Sequence, residues 1–550
     1  MTWISARWIC GPGLTALLIL APGAGCGDDD GAQDDGGVDA SPARYEPVDE
    51  RFEQEMVEGE VPGAVFAIVE GGQVTHAMAY GRRHPDHPEP VATTTLFRLA
   101  SVTKAITAVG LLQQVQDGSL ALDDPIVDHL PGFAFTSDAT TTADVTVEHL
   151  LTHSSGIVDC LTVDATALYD DATALRDFTY DVFVDTGYLM APPGRMFNYT
   201  NAGFVLAGLI TELASGDFYG SYLRSNVLLP LGMDRTFFAP ADVLADGDYA
   251  TGQIKDDYWA SVFPDRRVAP DTYDNPWGWP AGFAFSSVLD LGNLVRFLRD
   301  GEPTVLSDGL RAEMQVSRVD TRWAADIAYY GYGLVIQQGL FVGEAFHDLT
   351  LISHAGALPG FSSELSYVPE CDLGFVTLAN TDGGYFGDSL EVALETLCDL
   401  PAPLAAPDLA ADPADLPDFV GTYRDPWLFG DLVVTQDGTE LFIEIPSLVM
   451  YADYDPLLTP YAKDSFVLDV QYGTSITFIR DPSGQAEYLR SRGFVGHRVP
   501  EGAPPSPPPG APESRGAPAW WHHPAPLPYA PLALPRSQRE RLRRLLRQVR

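Results

Sequence analysis

The sequence contains few lysines, few cysteines and no long hydrophobic run. Only three of the 33 Lys and Arg residues are lysines, and they face 76 acidic residues in a chain of 550, so the formal charge at pH 7 is −43. Because such a chain is repelled by phosphates, we expect no nucleic-acid partner. An apolar run over residues 14–21 is too short to span a bilayer.

Cysteine is also scarce, and its spacing matches no common framework. The five cysteines are Cys10, Cys26, Cys160, Cys371 and Cys398. This spacing fits neither a zinc site nor a disulfide scaffold, and it leaves a Cys371–Cys398 disulfide as an open alternative.

Several catalytic motifs are missing. There is no G-x-S-x-G, no H-E-x-x-H and no phosphate-binding glycine motif, which excludes a nucleophile elbow and a zinc-protease helix. His149 and His153 are four residues apart and no third ligand suggests itself, so we prefer a structural role for them over zinc binding. We expect no metal and no cofactor.

The N-terminus has the features of an export signal over residues 1–25. Arg7 and the apolar run are followed by small residues and then Cys26, as in a bacterial lipoprotein signal. The alternative is an ordinary secretory signal that is cut near the same place. Residues 26–44 are rich in Asp and Gly and predict a flexible acidic tether.

Two folded regions and a tail are predicted after the tether. Residues 45–400 carry hairpin patterns at both ends of a helical middle, which indicates an α+β domain with an antiparallel sheet. Short strand patterns in residues 414–498 predict a small all-β barrel. Residues 499–550 are rich in Pro and Arg, and we expect a disordered extension; the alternative is a basic amphipathic helix that contacts an anionic surface. We expect deletion of residues 501–550 to leave hydrolysis and melting temperature nearly unchanged.

Ser101 and Lys104 form the first chemical motif. The Ser101-x-x-Lys104 spacing lies at the start of a predicted helix over residues 104–115, so the lysine and the hydroxyl share a face. A nearby amine helps the hydroxyl lose its proton, and the helix N-terminus favours a developing oxyanion. The alternative is a serine cap with an exposed lysine.

Two further motifs follow along the chain. Tyr199 and Asn201 precede a predicted helix, and a phenol near ammonium groups is expected to have a lowered pKa; the alternative is a turn in which Asn201 caps the helix. His354, Gly356 and Ala357 end a predicted strand, where the glycine admits a ligand and the next N–H can donate to an oxyanion. The alternative there is an ordinary strand end.

The order Ser-x-x-Lys, Tyr-x-Asn and His-x-Gly resembles the serine β-lactamase and penicillin-recognising hydrolase superfamily, in the branch of class C β-lactamases, D-aminopeptidases and esterases. The resemblance implies that Ser101 is the nucleophile and that Lys104 and Tyr199 share proton transfer. It also implies that Asn201 and His354 contact substrate and that the N–H groups of Ser101 and Ala357 form the oxyanion hole. The all-β region resembles the lipocalin-like domain of some D-aminopeptidase relatives.

His354 is a departure, since β-lactamases and carboxypeptidases usually have a lysine there. We therefore expect weaker binding of carboxylate-bearing β-lactams, with some recovery as His354 gains a proton between pH 8 and 6.

The leading hypothesis is an exported serine hydrolase that forms a Ser101 acyl-enzyme on a small-molecule or peptide ester or amide. The alternative is a catalytically silent receptor for a peptide or peptidoglycan stem. We expect the protein to face the periplasm or cell exterior and to touch the membrane only through a lipid on Cys26. The sequence leaves the oligomeric state and the exact substrate open.

Overall fold

The computed structural model describes residues 42–84, 86–137, 139–159, 173–255, 263–323, 327–450, 453–470, 474–505 and 532–540. The predicted signal peptide, Cys26 and Cys160 lie outside these residues. Helix α1 begins at Pro42, so residues 42–44 belong to the folded body and not to the predicted tether. Within the described ranges, no helix has the length and apolarity needed to cross a membrane.

The first domain is built on an antiparallel sheet. Its strands are β1 (Gly63–Glu70), β2 (Gln73–Gly81), β3 (Phe97–Arg98), β4 (Gly252–Gln253), β5 (Arg267–Val268), β6 (Phe285–Ser286), β7 (Val319–Asp320), β8 (Ala328–Tyr330), β9 (Val335–Val342), β10 (Ala345–Leu358), β11 (Phe361–Val368) and β12 (Leu373–Ala379). The main sheet has eight strands in the order β2-β1-β12-β11-β10-β9-β8-β7, while β3 pairs with β6 and β4 with β5.

Helices cover both faces of this sheet. The long helices are α1 (Pro42–Glu58), α2 (Thr103–Gln116), α3 (Asn201–Ser215), α4 (Val288–Asp300) and α5 (Gly387–Leu397). Shorter helical segments span Ala100–Val102, Ile126–His129, Ala139–Thr142, Val147–Leu151, Ala174–Asp177, Phe178–Phe183, Val184–Thr186, Tyr219–Leu223, Arg224–Leu228, Pro240–Asp246, Pro276–Gly278, Trp279–Gly282, Asp308–Met314, Pro369–Cys371, Pro413–Asp415, Leu416–Phe419 and Leu448–Met450.

Strand β1 shows how the two layers are divided. Alternate side chains of a strand point to opposite faces. Val65 and Val69 belong to the core shared with α2, α3 and α4, whereas Phe66 and Ile68 belong to the core beneath α1 and α5. Residues 64–69 of this strand are all apolar because both faces of the strand are buried, and this arrangement confirms the predicted α+β architecture.

The predicted elements of this domain correspond closely to the observed ones. The hairpin is β1–β2, and the three helix patterns are α2, α3 and α4. The closing helix α5 stops at Leu397, because Cys398 adopts an extended conformation and forms a disulfide with Cys371. The disulfide that the sequence left open is therefore present.

The second domain is a closed antiparallel barrel of eight strands. They are β13 (Gly421–Asp425), β14 (Gly430–Asp437), β15 (Glu440–Glu444), β16 (Tyr454–Ala462), β17 (Ser465–Val470), β18 (Thr474–Arg480), β19 (Ala486–Arg490) and β20 (Val495–Arg498). The barrel prediction is confirmed, although the sequence patterns indicated only five of these strands. Strand β16 carries Pro456 and Pro460, which mask its strand pattern, and β20 has only four residues.

For residues 532–540 of the C-terminal tail, the prediction of a disordered extension is wrong. Leu532 and Ala533 are buried, and the Phe341 N–H donates to the Leu532 carbonyl over 2.8 Å. Arg536 and Arg539 both bind Glu391, whose side chain is 0% exposed. The composition of the tail does not predict this packing, because Glu391, the buried carboxylate that the arginines neutralise, lies far away in the sequence.

Candidate active site

Ser101 lies in the one-turn helix Ala100–Val102, directly before α2. Strand β3 enters this turn, and Ala100 adopts a left-handed φ of 45°, which an alanine holds only under tight packing. The cap residue of α2 is Val102, which makes no side-chain cap, so the Ser101 hydroxyl does not cap the helix. The alternative of a serine cap is therefore wrong, and the hydroxyl is available for chemistry.

Lys104 is fully buried and its amine has three protein partners. Its Nζ lies 3.1 Å from Ser101 Oγ, 2.7 Å from Asn201 Oδ1 and 2.6 Å from the Ala281 carbonyl oxygen. Burial lowers the pKa of Lys104 well below its usual value, with Asp159 opposing the change and Arg492 adding to it. A neutral amine donates its two N–H groups to the two carbonyl oxygens, so its lone pair is left for the Ser101 hydroxyl.

Tyr199 and Asn201 frame the same amine from the start of α3. The cap residue is Thr200, and the Asn201 side chain accepts from Lys104, so the alternative in which Asn201 caps the helix is wrong. The Tyr199 ring lies 5.0 Å from Lys104 Nζ, and the Ser101 side chain acts to lower the pKa of the Tyr199 hydroxyl. Burial raises the pKa of Tyr199, contrary to the predicted lowering, because desolvation outweighs the nearby cation.

His153 holds the loop that carries Tyr199. Its ring lies 4.0 Å from the Tyr199 ring, its Nδ1 accepts from the Thr200 N–H over 3.2 Å, and its carbonyl accepts from the Asn198 N–H over 2.7 Å. His149, which lies four residues before His153, forms a capping box with Thr146 at the start of the helix Val147–Leu151. Both histidines therefore have structural roles, as the sequence favoured.

His354 lies inside β10, which continues to Leu358, so the third motif is not at a strand end as predicted. Its Nδ1 donates to the Ala355 carbonyl over 2.7 Å, and its Nε2 accepts from the Tyr330 hydroxyl over 2.9 Å. Burial lowers the pKa of His354 to about 3. The expectation that this ring gains a charge between pH 8 and 6 is therefore wrong.

Gly356 brings β10 against the turn that carries the nucleophile. A Cβ at this position would collide with the Leu99 carbonyl oxygen and would lie 2.9 Å from the Ala100 Cβ. Ser363, opposite Gly356 on β11, donates its hydroxyl to the same Leu99 carbonyl over 2.5 Å. Only glycine permits this approach, which brings β10 against Leu99 and Ala100, directly before Ser101.

The barrel supplies a part of the site that the sequence analysis did not find. Arg492, between β19 and β20, lies 4.8 Å from the centre of the Tyr199 ring, and its Nε donates to Asp159 Oδ2 over 2.8 Å. The neighbouring Arg490 donates to the Phe197 carbonyl over 2.6 Å. No local motif marks these arginines, because their role depends on how the barrel packs against the first domain.

The comparisons with known proteins cover both domains. The family model named Beta-lactamase matches residues 48–396, and that of a domain of unknown function, DUF3471, matches residues 406–497. The chain is 30% identical over 393 residues to penicillin-binding protein 4 of Amycolatopsis lactamdurans, which covers 68% of this chain and 96% of that protein. It is 27% identical over 338 residues to protein flp of Staphylococcus aureus, covering 62% of this chain and 63% of that one.

Solved structures share the fold. The structure of SurE with D-Leu has a TM-score of 0.60 and 25% identity, covering 84% of this chain and 100% of SurE. The D-amino acid amidase of Ochrobactrum anthropi has a TM-score of 0.53 and is 24% identical. The alignment covers 64% of this chain and 98% of the amidase chain. The match of the family model over most of the chain shows that this protein belongs to the Beta-lactamase family of serine hydrolases.

Proposed function

We propose that the protein hydrolyses esters or amides through an acyl-enzyme formed on Ser101. The observation that carries this proposal is the arrangement around Lys104: one contact to the Ser101 hydroxyl and two to oxygens that can only accept. A base must be unprotonated and within hydrogen-bond reach of the proton that it takes. The buried amine of Lys104 is within reach of the Ser101 proton, and burial lowers its pKa well below the usual value, which supports this role.

Acylation then follows from the positions of the groups. The Ser101 proton passes to Lys104 Nζ as Oγ bonds to the substrate carbonyl carbon, and the N–H groups of Ser101 and Ala357 receive the charge that develops on the carbonyl oxygen. The Tyr199 hydroxyl, which keeps its proton, donates to the departing oxygen or nitrogen and is reprotonated from Lys104. Water next attacks the acyl carbon and gives a proton to Lys104 Nζ. The bond between that carbon and Ser101 Oγ then breaks, and the proton returns from Lys104 to Oγ.

The substrate class is drawn from the surroundings of His354. A ring that stays neutral provides no fixed cation for a carboxylate at this position, which favours esters and amides over carboxylate-bearing β-lactams. Because SurE was solved with D-Leu, derivatives of D-amino acids are included among the amides to be tested.

A hydrolysis panel tests this function. Short-chain p-nitrophenyl esters, D-amino acid amides, D-peptides and nitrocefin are assayed with wild type and with Ser101→Ala. We expect turnover of at least one ester or amide class, with a loss of about 10³-fold or more in the variant. Stoichiometric binding without turnover across the panel would overturn the proposal in favour of the silent receptor.

A further inference from the structure

A chain of contacts connects the barrel to the nucleophile. Arg492 binds Asp159 through Nε and Nη2, and Asp159 Oδ1 accepts from the Asn201 N–H over 2.9 Å. Asn201 Oδ1 accepts from Lys104, which contacts Ser101. Each contact lies within hydrogen-bond distance, so an unbroken chain of contacts joins Arg492 to the amine of Lys104.

The ion pair between Arg492 and Asp159, at the start of this series of contacts, is largely shielded from solvent. The side chain of Asp159 is 4% exposed and that of Arg492 is 29% exposed. Removing one partner of such a pair leaves the other charge buried without compensation, which costs far more than the loss of a surface ion pair. The barrel therefore places a charge-balancing group inside the first domain's site and does not simply lie beside it.

We infer that Arg492 is a positioning residue for the hydrolase site, contributed by the barrel and acting through Asp159 and Asn201 on Lys104. This inference rests on the proposed function, and it gives the barrel a direct part in that function. Arg492 fixes Asp159, which holds the first N–H of α3, and it balances the negative charge that Asp159 brings near Lys104.

The charge balance around Lys104 involves five titratable or charged side chains of the described residues. They are Asp159, Arg492, Tyr199, His153 and His354. Burial lowers the pKa of both histidines and raises that of Tyr199, so these three groups are neutral near pH 7. Asp159 and Arg492 are the opposed charges of this set, and removing either one moves the pKa of Lys104 in a known direction.

The sign of each change follows directly. Without Arg492, the Asp159 carboxylate favours the ammonium form, so the pKa of Lys104 rises. As the pH is lowered, Lys104 then becomes protonated, and stops acting as a base, at a higher pH than in wild type. Without the Asp159 charge, Arg492 disfavours the ammonium form and the pKa falls. Removing both charges restores the balance. A purely structural contact would instead lower the rate at every pH and leave the midpoint unchanged.

The experiment measures Ser101 labelling by a neutral fluorophosphonate as a function of pH. Wild type is compared with Arg492→Gln, Arg492→Lys, Asp159→Asn and the Arg492→Gln/Asp159→Asn double variant, with melting temperatures recorded for each. Glu487→Gln is the matched control, because Glu487 forms an ion pair with Arg195 across the same domain interface and makes no contact in the chain to Lys104.

We expect the acidic midpoint to rise by about one pH unit or more in Arg492→Gln and to fall in Asp159→Asn. The midpoint should lie within about half a unit of wild type in the double variant, in Arg492→Lys, which keeps the positive charge, and in the control Glu487→Gln. A wild-type midpoint in a folded Arg492→Gln variant, or equal shifts in all variants, would overturn the inference. Absence of Ser101 labelling in wild type would instead refute the proposed function itself.

Discussion

Removing the tail segment 532–540 should destabilise the protein strongly, although the sequence predicts that this region is dispensable. Glu391 has a fully buried side chain, and Arg536 and Arg539 are its cationic partners. Removing the partners of a buried ion pair costs about 3–5 kcal/mol. The Phe341 N–H would lose its acceptor as well, which adds about 1 kcal/mol or more.

The assay compares two truncations by calorimetry. A chain that ends at residue 531 should have a melting temperature about 4–7 °C below that of the full chain, whereas one that ends at residue 540 should remain within about 2 °C. Glu391→Gln should recover part of the loss in the shorter chain, because it removes the uncompensated charge, and it should destabilise the full chain. Equal melting temperatures for all of these proteins would refute the reasoning.

Further predictions concern the site, the disulfide and the N-terminus. Gly356→Ala should lower kcat/KM by about 10²–10³-fold without unfolding the protein, since it displaces one oxyanion donor; near-normal kinetics would contradict this geometry. The kcat/KM ratio of nitrocefin to p-nitrophenyl acetate should change less than about twofold from pH 8 to 6, because the pKa of His354 is about 3; a steep rise at low pH would mean that this ring titrates. Cys371→Ser should destabilise by about 3–4 kcal/mol for a separation of 27 residues, as measured by urea unfolding against the oxidised wild type. Lipidation of Cys26 stays a prediction, which incorporation of a palmitate analogue into wild type but not into Cys26→Ser would support and equal incorporation would refute.

Much of the fold could be predicted because its signals are local. The apolar run of β1, the glycine turn of the hairpin and the periodicity of α2 are each contained within about fifteen residues. The three chemical motifs are similarly short, so the sequence identifies their residues without information on their proximity.

What the sequence could not provide depends on contacts between distant segments. Arg492 and Asp159 are separated by 333 residues, and neither lies in a motif. The sign of the Tyr199 pKa shift depends on how deeply the ring is buried, which the order of residues does not show. To predict that Arg536 binds Glu391, one would need to know that the Glu391 carboxylate is buried.

Peptide mapping after fluorophosphonate labelling tests the central claim most directly. The account predicts one adduct, on the peptide that contains Ser101, absent in Ser101→Ala and formed about 10²–10⁴-fold more slowly in Lys104→Met. Labelling that persists in Ser101→Ala, or that keeps its wild-type rate in Lys104→Met, would contradict it.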